Sequence, residues 1–258
     1  MTFKSTLLSG KTAGSIPSYN GLLLKVLSLN IAAIVITVAL SAPFDKVYRQ
    51  FEDGGFITYF SVIQLFILSH FAYKIFKVRS QSFPHPWRSS IAIWAIMSLG
   101  FSFLALDDLL MIHEWLDKVI HGIGQFEETA VSDRLDDVII GFYGLVSIGG
   151  LVHYRKEIKK YRAVLPLVVI GFVLLFATVG IDILTNRDDI LSTMFSPETT
   201  ANMMYWMVVP EEGLKLLSEA FLIVAIHTCH IIAKSLRQKD LGRNGSAHQL
   251  SPQAISRT

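Results

Sequence analysis

The feature that most constrains this sequence is a series of six long apolar blocks separated by short polar segments. A transmembrane helix needs about 20 mostly apolar residues, and the blocks with their connections occupy nearly all of the 258 residues. Charged residues make up 17% of the chain, against about a quarter in a typical soluble domain. The sequence therefore predicts an all-α integral membrane protein, a bundle of six transmembrane helices. The predicted spans are 21–42, 55–76, 91–115, 138–153, 163–184 and 210–233.

The domain organisation follows from these blocks. We expect residues 1–20 to form a polar N-terminal segment, 21–234 the transmembrane domain, and 235–258 a polar, disordered tail. The first block is longer than the apolar core of a signal peptide, so we interpret it as a retained helix. The fourth block is the shortest, and a five-helix arrangement that leaves it out of the membrane is the main alternative. A lone cysteine, Cys229, excludes an intramolecular disulfide and a cysteine-based metal site.

Charges in the connections predict the orientation, because lysine and arginine accumulate on the cytoplasmic side of a membrane. Basic residues follow the second, fourth and sixth blocks, whereas acidic residues follow the third and fifth. This alternation favours six spans in the cell inner membrane with both termini in the cytoplasm. The net charge of +2 indicates no nucleic-acid partner, because the basic residues lie beside membrane segments; membrane lipids are the expected surroundings, and protein partners stay open. The basic residues are Lys74, Lys77, Arg79, Arg88, Arg155, Lys156, Lys159, Lys160, Arg162, Lys234, Arg237 and Lys239, and the acidic ones are Glu127, Glu128, Asp133, Asp136, Asp137, Asp188, Asp189 and Glu198.

Four ionisable residues lie close together in the third block, in the segment LDDLLMIHEWLD. They are Asp107, Asp108, His113 and Glu114, surrounded by leucine and methionine. On one continuous helix Asp107 and Glu114, seven residues apart, would share a stripe. Ionisable residues inside a membrane span are functional candidates by default. A purely structural ion-pair network is the alternative.

A second group of ionisable residues opens the sixth block. Proline at a first helical position followed by Glu211 and Glu212 is also an ordinary helix start. Lys215 and Glu219 continue the face of Glu211 at four-residue intervals, which a salt-bridge ladder would also explain. The predicted orientation brings both acidic groups to the outer leaflet, where the carboxylates outnumber Lys215. Protons on some acids, or a bound metal cation, would supply the missing positive charge.

We favour a divalent metal site. Carboxylates with a neutral histidine suit zinc, manganese or iron, and helix bundles hold such metals with ligands from facing helices. The Glu-x-x-His and His-Glu-x-x-His spacings are absent, so the metal's identity stays open. The function would be a metal-dependent enzyme acting on a lipid or amphiphilic substrate, a proton- or cation-coupled transporter, or a structural or assembly subunit. The predicted ligands are Asp107, Asp108, His113, Glu114, Glu211 and Glu212, with Lys215 and Glu219 balancing the charge.

Three segments, EDGGFITYFS, LDDLLMIHE and EEGLKLL, occur in this order along the chain. In this the sequence resembles a family of bacterial multi-pass membrane proteins with an E-x-G stretch leading into an early helix, an L-D-D/E…I-H-E segment and a later E-E-G segment. The resemblance implies that the six predicted ligands act as a set, and it implies no particular activity. EEGLK is also similar to the EExxK-type segment of PrsW-like intramembrane proteases. Here that segment lies in the last predicted span, which leaves no later helices for that family's other motifs.

Overall fold

The structure, a computed structural model, describes residues 19–124, 135–185 and 188–249. Every regular element in these ranges is helical, which confirms the all-α prediction. Short 3₁₀ turns lie at Ala42–Phe44, Pro86–Arg88 and Lys159–Val164. The α-helices are α1 (Asn20–Ser41), α2 (Val47–Phe51), α3 (Phe56–Ser80), α4 (Ala92–Leu110), α5 (Ile112–Gly124), α6 (Leu135–His153), α7 (Arg155–Ile158), α8 (Leu165–Thr185), α9 (Asp188–Leu191) and α10 (Pro197–Gln249).

Five segments of the described chain are long and apolar enough to cross a bilayer. They correspond to the first, second, third, fifth and sixth predicted spans. The described part of the predicted fourth span, Val138–His153, is apolar but shorter than the other five. The five candidate spans are Asn20–Phe44, Val47–Ser80, Ala92–Leu110, Arg155–Thr185 and Pro197–Gln238.

The distribution of side chains on α1 is the reverse of that in a soluble protein. Its buried residues are the polar Asn30, Thr37 and Ser41, whereas Leu24 and Leu40 are exposed. Exposed leucine costs nothing where the surroundings are lipid tails, and small or polar residues then form the contacts between helices. This pattern supports a membrane-embedded bundle.

Hydrogen bonds made by two serine side chains of α3 establish the relative direction of α3 and α4. Ser61 Oγ lies 2.8 Å from Asp108 Oδ2, and Ser69 Oγ donates to the carbonyl oxygen of Ser98 at 2.8 Å. Because an earlier residue of α3 pairs with a later residue of α4, the two helices are antiparallel. The start of α3 and the end of α4 therefore lie at the same end of the bundle.

Helix α10 is the other main neighbour of α3 and runs in the same direction. Ser61 Oγ lies 2.6 Å from Glu219 Oε1, and the ring of Phe71 lies 5.1 Å from that of His227. Helix α8 packs against α10 in the opposite direction. Two hydrogen bonds show this direction, one from Ser218 Oγ to the Gly171 carbonyl (2.7 Å) and one from Thr178 Oγ1 to the Glu211 carbonyl (3.2 Å).

The prediction of one continuous helix over 91–115 is wrong. Met111 has left-handed backbone angles, φ 52° and ψ 48°, which end α4 at Leu110 and start α5 at Ile112. A left-handed residue interrupts the helical hydrogen-bond ladder and turns the chain. Asp107 and Glu114 therefore belong to different helices and do not share a stripe.

The interpretation of Pro210 as the start of the last helix is also wrong. Helix α10 begins at Pro197, so Pro210 and the two glutamates after it lie inside the helix. At its other end, the tail predicted to be disordered from residue 235 is helical as far as Gln249. Residues 1–18 and 250–258, and the predicted loop acids at 127, 128 and 133, lie outside the described residues.

A buried ion pair lies at the opposite end of the bundle from Asp107 and Asp108. Glu157 has no exposed surface, and its Oε1 lies 3.4 Å from Arg79 Nε at the end of α3. Tyr161 Oη donates to the same carboxylate oxygen at 3.2 Å, and Lys160 binds the other oxygen. These contacts join α3 to the segment before α8. Glu157 is not among the residues predicted from the sequence.

Candidate metal site

Because α4 ends at Leu110, the side chain of Asp107 contacts the first turn of α5. Its Oδ1 accepts the backbone N–H of His113 at 2.9 Å, and its Oδ2 lies 3.2 Å from Nδ1 of the same residue. Both residues are buried. A carboxylate accepts but does not donate, so in the neutral imidazole this bond favours the proton on Nδ1 and leaves the lone pair of Nε2 for a metal. A histidine held in this way by a carboxylate is a common arrangement in metal sites.

The surroundings of His113 raise the pKa of its imidazole. Burial by itself lowers that pKa, but the hydrogen bond and negative charge of Asp107 outweigh it, with further contributions from Asp53 and Asp108. The ring is therefore set in a negative electrostatic environment, which attracts a cation.

Three side chains converge beside this histidine. One ligand atom each from Asp53, His113 and Glu114 lies within 4.8 Å of the other two. We call these three residues the metal group. They come from the turn between α2 and α3 and from the first turn of α5, so the break at Met111 is what brings them together.

Two glycines shape the turn that carries Asp53. Gly54 has a φ of +73°, which side chains rarely adopt. A Cβ on Gly55 would lie 2.5 Å from the carbonyl oxygen of Gln50, so this position has no room for a side chain. The sequence Asp-Gly-Gly therefore allows the chain to reverse tightly and places Asp53 at the end of the bundle that carries the acids.

A second group of polar residues lies deeper, between α3, α4 and α10. Lys215 Nζ lies 2.9 Å from Glu212 Oε2 and 3.6 Å from Asp108 Oδ2. Ser61 Oγ bridges Asp108 and Glu219. We call Ser61, Asp108, Glu212, Lys215 and Glu219 the Lys215 group. Asp53 is close enough to interact electrostatically with Lys215 and Asp108, so the two groups are neighbours.

One comparison with known proteins finds a match. A family model described as a domain of unknown function, DUF8692, covers residues 15–230. The chain belongs to the DUF8692 family. No curated protein and no solved structure matches it. The DUF8692 match is consistent with the resemblance to a family without an assigned activity, and it includes both the metal group and the Lys215 group.

Within this DUF8692 chain the structure separates the predicted ligands. His113 and Glu114 belong to the metal group, and Asp107 positions His113. Asp108 and Glu212 lie against Lys215, the residue predicted to balance their charge. Glu211 is half-buried on α10, and its ligation stays a prediction. Asp53 is not among the ligands predicted from the sequence, although the EDGG segment before the second span is a signal that points to it.

Proposed function

We propose that this protein is a multi-pass membrane protein that binds a divalent metal ion at Asp53, His113 and Glu114. The observation that carries the proposal is the convergence of these three ligand atoms within 4.8 Å, beside a buried Asp107 that orients the histidine. Two carboxylates and one imidazole suit zinc, manganese or iron. Three protein ligands leave coordination positions for water or substrate, as in catalytic rather than structural sites.

The position of Lys215 argues against Asp108 and Glu212 as metal ligands. Its ammonium lies 2.9 Å from Glu212 and 3.6 Å from Asp108. A second cation bound to the same oxygens would be repelled by the ammonium, because like charges at this range interact strongly outside bulk water. Glu114 also has a cationic partner, Lys118 at 3.1 Å, but that side chain is exposed and free to move away.

The surroundings of the metal group support a lipid or amphiphilic substrate. Asp53 is exposed, so the site is open to the outside of the bundle. Helix α5, which begins at the site, exposes Trp115 (61%) and Ile123 (81%). Exposed apolar side chains on a short amphipathic helix are typical of a helix that lies in the membrane interface. A metal there would activate water for attack on a substrate held at the interface.

We further propose that α6 completes a sixth crossing. Helix α8 is antiparallel to α10, and α10 is parallel to α3, so α4 and α8 run in the same direction. Between two parallel spans the chain has to return across the bilayer, and α6 supplies the return. The ring of Tyr143 meets that of Phe103 edge to face, with centroids 5.4 Å apart, and Gly150 lies against Ile93, which makes α6 antiparallel to α4. Its 19 residues extend about 28 Å at about 1.5 Å per residue, close to the thickness of the hydrocarbon core.

Six crossings with basic segments in the cytoplasm would place the metal group on the outer side of the cell inner membrane. Reporter fusions at residues 82 and 195 test this orientation. We expect the two reporters in opposite compartments, with residue 82 in the cytoplasm. The same compartment for both would contradict the six-crossing arrangement.

Metal analysis of the purified protein tests the metal proposal. The wild-type chain, purified without chelator, should contain stoichiometric metal or take up Zn²⁺ or Mn²⁺ stoichiometrically in a titration. Asp53→Asn and His113→Asn should each remove most of this binding. The matched control is Glu52→Gln, which changes the exposed neighbour of Asp53 and leaves the metal group intact.

Two results would overturn the metal proposal: absence of stoichiometric binding by the wild type, or equal loss of binding in Glu52→Gln and Asp53→Asn. The enzymatic part is tested separately. Metal-loaded protein is incubated in mixed-lipid vesicles, and the lipids are compared by mass spectrometry with those from His113→Asn. Identical lipid profiles would contradict a lipid-modifying activity without affecting the metal site.

A proton- or cation-coupled transporter is the second candidate function. The observation that favours it is the hydrogen-bonded connection from Asp108 through Ser61 to Glu219, which extends the acidic residues along α10 toward the middle of the span. Such acids are typical of relay sites in transporters. A flux assay in proteoliposomes tests it: flux abolished in Glu219→Gln supports transport, and no flux from the wild type rules it out.

A further inference from the structure

Ser61 lies between two carboxyl groups that cannot both accept its proton. Its Oγ is 2.8 Å from Asp108 Oδ2 and 2.6 Å from Glu219 Oε1. A hydroxyl group has a single hydrogen and can donate to one acceptor at a time, whereas an ionised carboxylate can only accept. If both acids were ionised, one of these contacts would bring two lone pairs together without a hydrogen. One of the two acids must therefore donate to Ser61.

The charge around the two acids decides which one carries the proton. Asp108 Oδ2 lies 3.6 Å from Lys215 Nζ, so its negative charge is partly balanced. Glu219 is 5% exposed, and its Oε2 has no hydrogen-bond partner among the described residues. An ionised carboxylate with an unpartnered buried oxygen is costly, and protonation removes most of that cost.

We propose that Glu219 is a proton-binding site, occupied at neutral pH, and that Ser61 connects it to Asp108. In the resting state the Glu219 acid donates to Ser61 Oγ, and the Ser61 hydroxyl donates to Asp108 Oδ2. Lys215 then binds both Asp108 and Glu212. Each donor in this chain has an acceptor, and no contact lacks a hydrogen.

The balance of charge in the Lys215 group agrees with this assignment. The charged or titratable groups that face Glu219 are Asp108 from α4 and Glu212 and Lys215 from its own helix, with Ser61 the polar group from α3. With all acids ionised, three carboxylates would oppose one ammonium in a membrane span. A proton on Glu219 leaves two carboxylates and one ammonium. Asp53, exposed at the outer rim, adds a further negative charge near Asp108.

The arrangement also supplies a route for the proton. Glu219 Oε1 gives its proton to Ser61 Oγ while Ser61 gives its own to Asp108 Oδ2. The O–H bond of Glu219 breaks, an O–H bond forms on Asp108, and the serine ends neutral with its hydroxyl reversed. The proton moves from the interior of the span toward the metal group without a change in the number of charges. This inference does not rest on the proposed metal site.

Infrared spectroscopy of the metal-free protein, in a detergent without ester groups, tests the proposal. A protonated carboxylic acid has a C=O band that an ionised carboxylate lacks. We expect Glu219→Gln to remove such a band at neutral pH, seen in the difference spectrum with the wild type. Glutamine resembles the protonated acid and still donates to Ser61, so this variant should fold. The control Glu52→Gln should lose only a carboxylate band.

A second variant keeps the test independent of how well Glu219→Gln folds. In Ser61→Ala the acid loses its acceptor, so we expect its C=O band to remain and to move to higher frequency. Two results would overturn the proposal: a Glu219→Gln difference spectrum with only carboxylate bands, or a Ser61→Ala spectrum whose acid band is unchanged. Because metal is absent throughout, neither result bears on the metal proposal.

Discussion

Replacing Asp107 by asparagine tests how the site is organised, because the change keeps the size of the side chain and alters only its charge and hydrogen bonding. The asparagine oxygen can still accept the His113 backbone N–H, which Asp107 Oδ1 accepts at 2.9 Å. Its amide nitrogen then replaces the oxygen 3.2 Å from His113 Nδ1 and donates instead of accepting. The imidazole proton moves to Nε2, the nitrogen that would otherwise bind metal.

The expected effect is on affinity rather than on folding. Loss of a carboxylate that orients a metal-binding histidine typically lowers metal affinity about 10- to 100-fold, which corresponds to about 1.4 to 2.7 kcal/mol. Competition with a chromophoric chelator, in detergent, measures the Zn²⁺ affinity of Asp107→Asn and of the wild type. Asp108→Asn is the matched control, because the carboxylate of Asp108 contacts Ser61 and Lys215 and not His113. Equal affinities in the wild type and Asp107→Asn, with His113→Asn inactive in binding, would refute the reasoning.

Three further predictions concern the stability of the bundle, measured by thermal unfolding in detergent. Met111→Gly should stabilise by about 1 kcal/mol relative to Met111→Ala, because only glycine adopts the φ of 52° without strain; equal stability would contradict a strained turn. Glu157→Gln should destabilise by about 3 kcal/mol or more, because it leaves the buried Arg79 without its carboxylate; a neutral effect would place that arginine in solvent. Gly171→Ala should cost about 1–3 kcal/mol, because its Cβ would lie 3.0 Å from Leu222 Cγ, whereas the control Gly180→Ala meets no neighbour and should be neutral.

The helical class and most of the spans were predictable because a membrane imposes a simple rule. Every backbone polar group in lipid needs an internal partner, so long apolar blocks become helices. The five candidate spans fall on five of the six predicted blocks. The other block, Val138–His153, is the shortest in the sequence and also the shortest apolar segment among the described residues. This signal comes from composition over about 20 residues and does not depend on any single side chain.

The details of the site were not predictable for an equally physical reason. No glycine or proline lies near Met111, so the local sequence does not show that α4 ends there. A stripe that joins Asp107 to Glu114 requires a continuous helix, and the left-handed Met111 interrupts that helix. Similarly, Pro210 marked a plausible helix start, although α10 begins at Pro197 and tolerates Pro210 in its interior. Neighbouring helices can satisfy the carbonyl that such a proline leaves without a partner.

The carboxyl groups at this end of the bundle outnumber Lys215, which is the lysine placed to neutralise them. The structure divides them by what each can reach. Asp53 and Glu114 lie at the exposed rim beside a histidine that Asp107 orients, where a divalent cation can arrive from water. Glu219 is buried, with Ser61 as its hydrogen-bond partner, and is the proposed proton site. Asp108 and Glu212 stand between the two with Lys215. Lys215 thus lies between the proposed metal site and the proposed proton site, and its ammonium keeps a second cation away from Asp108 and Glu212.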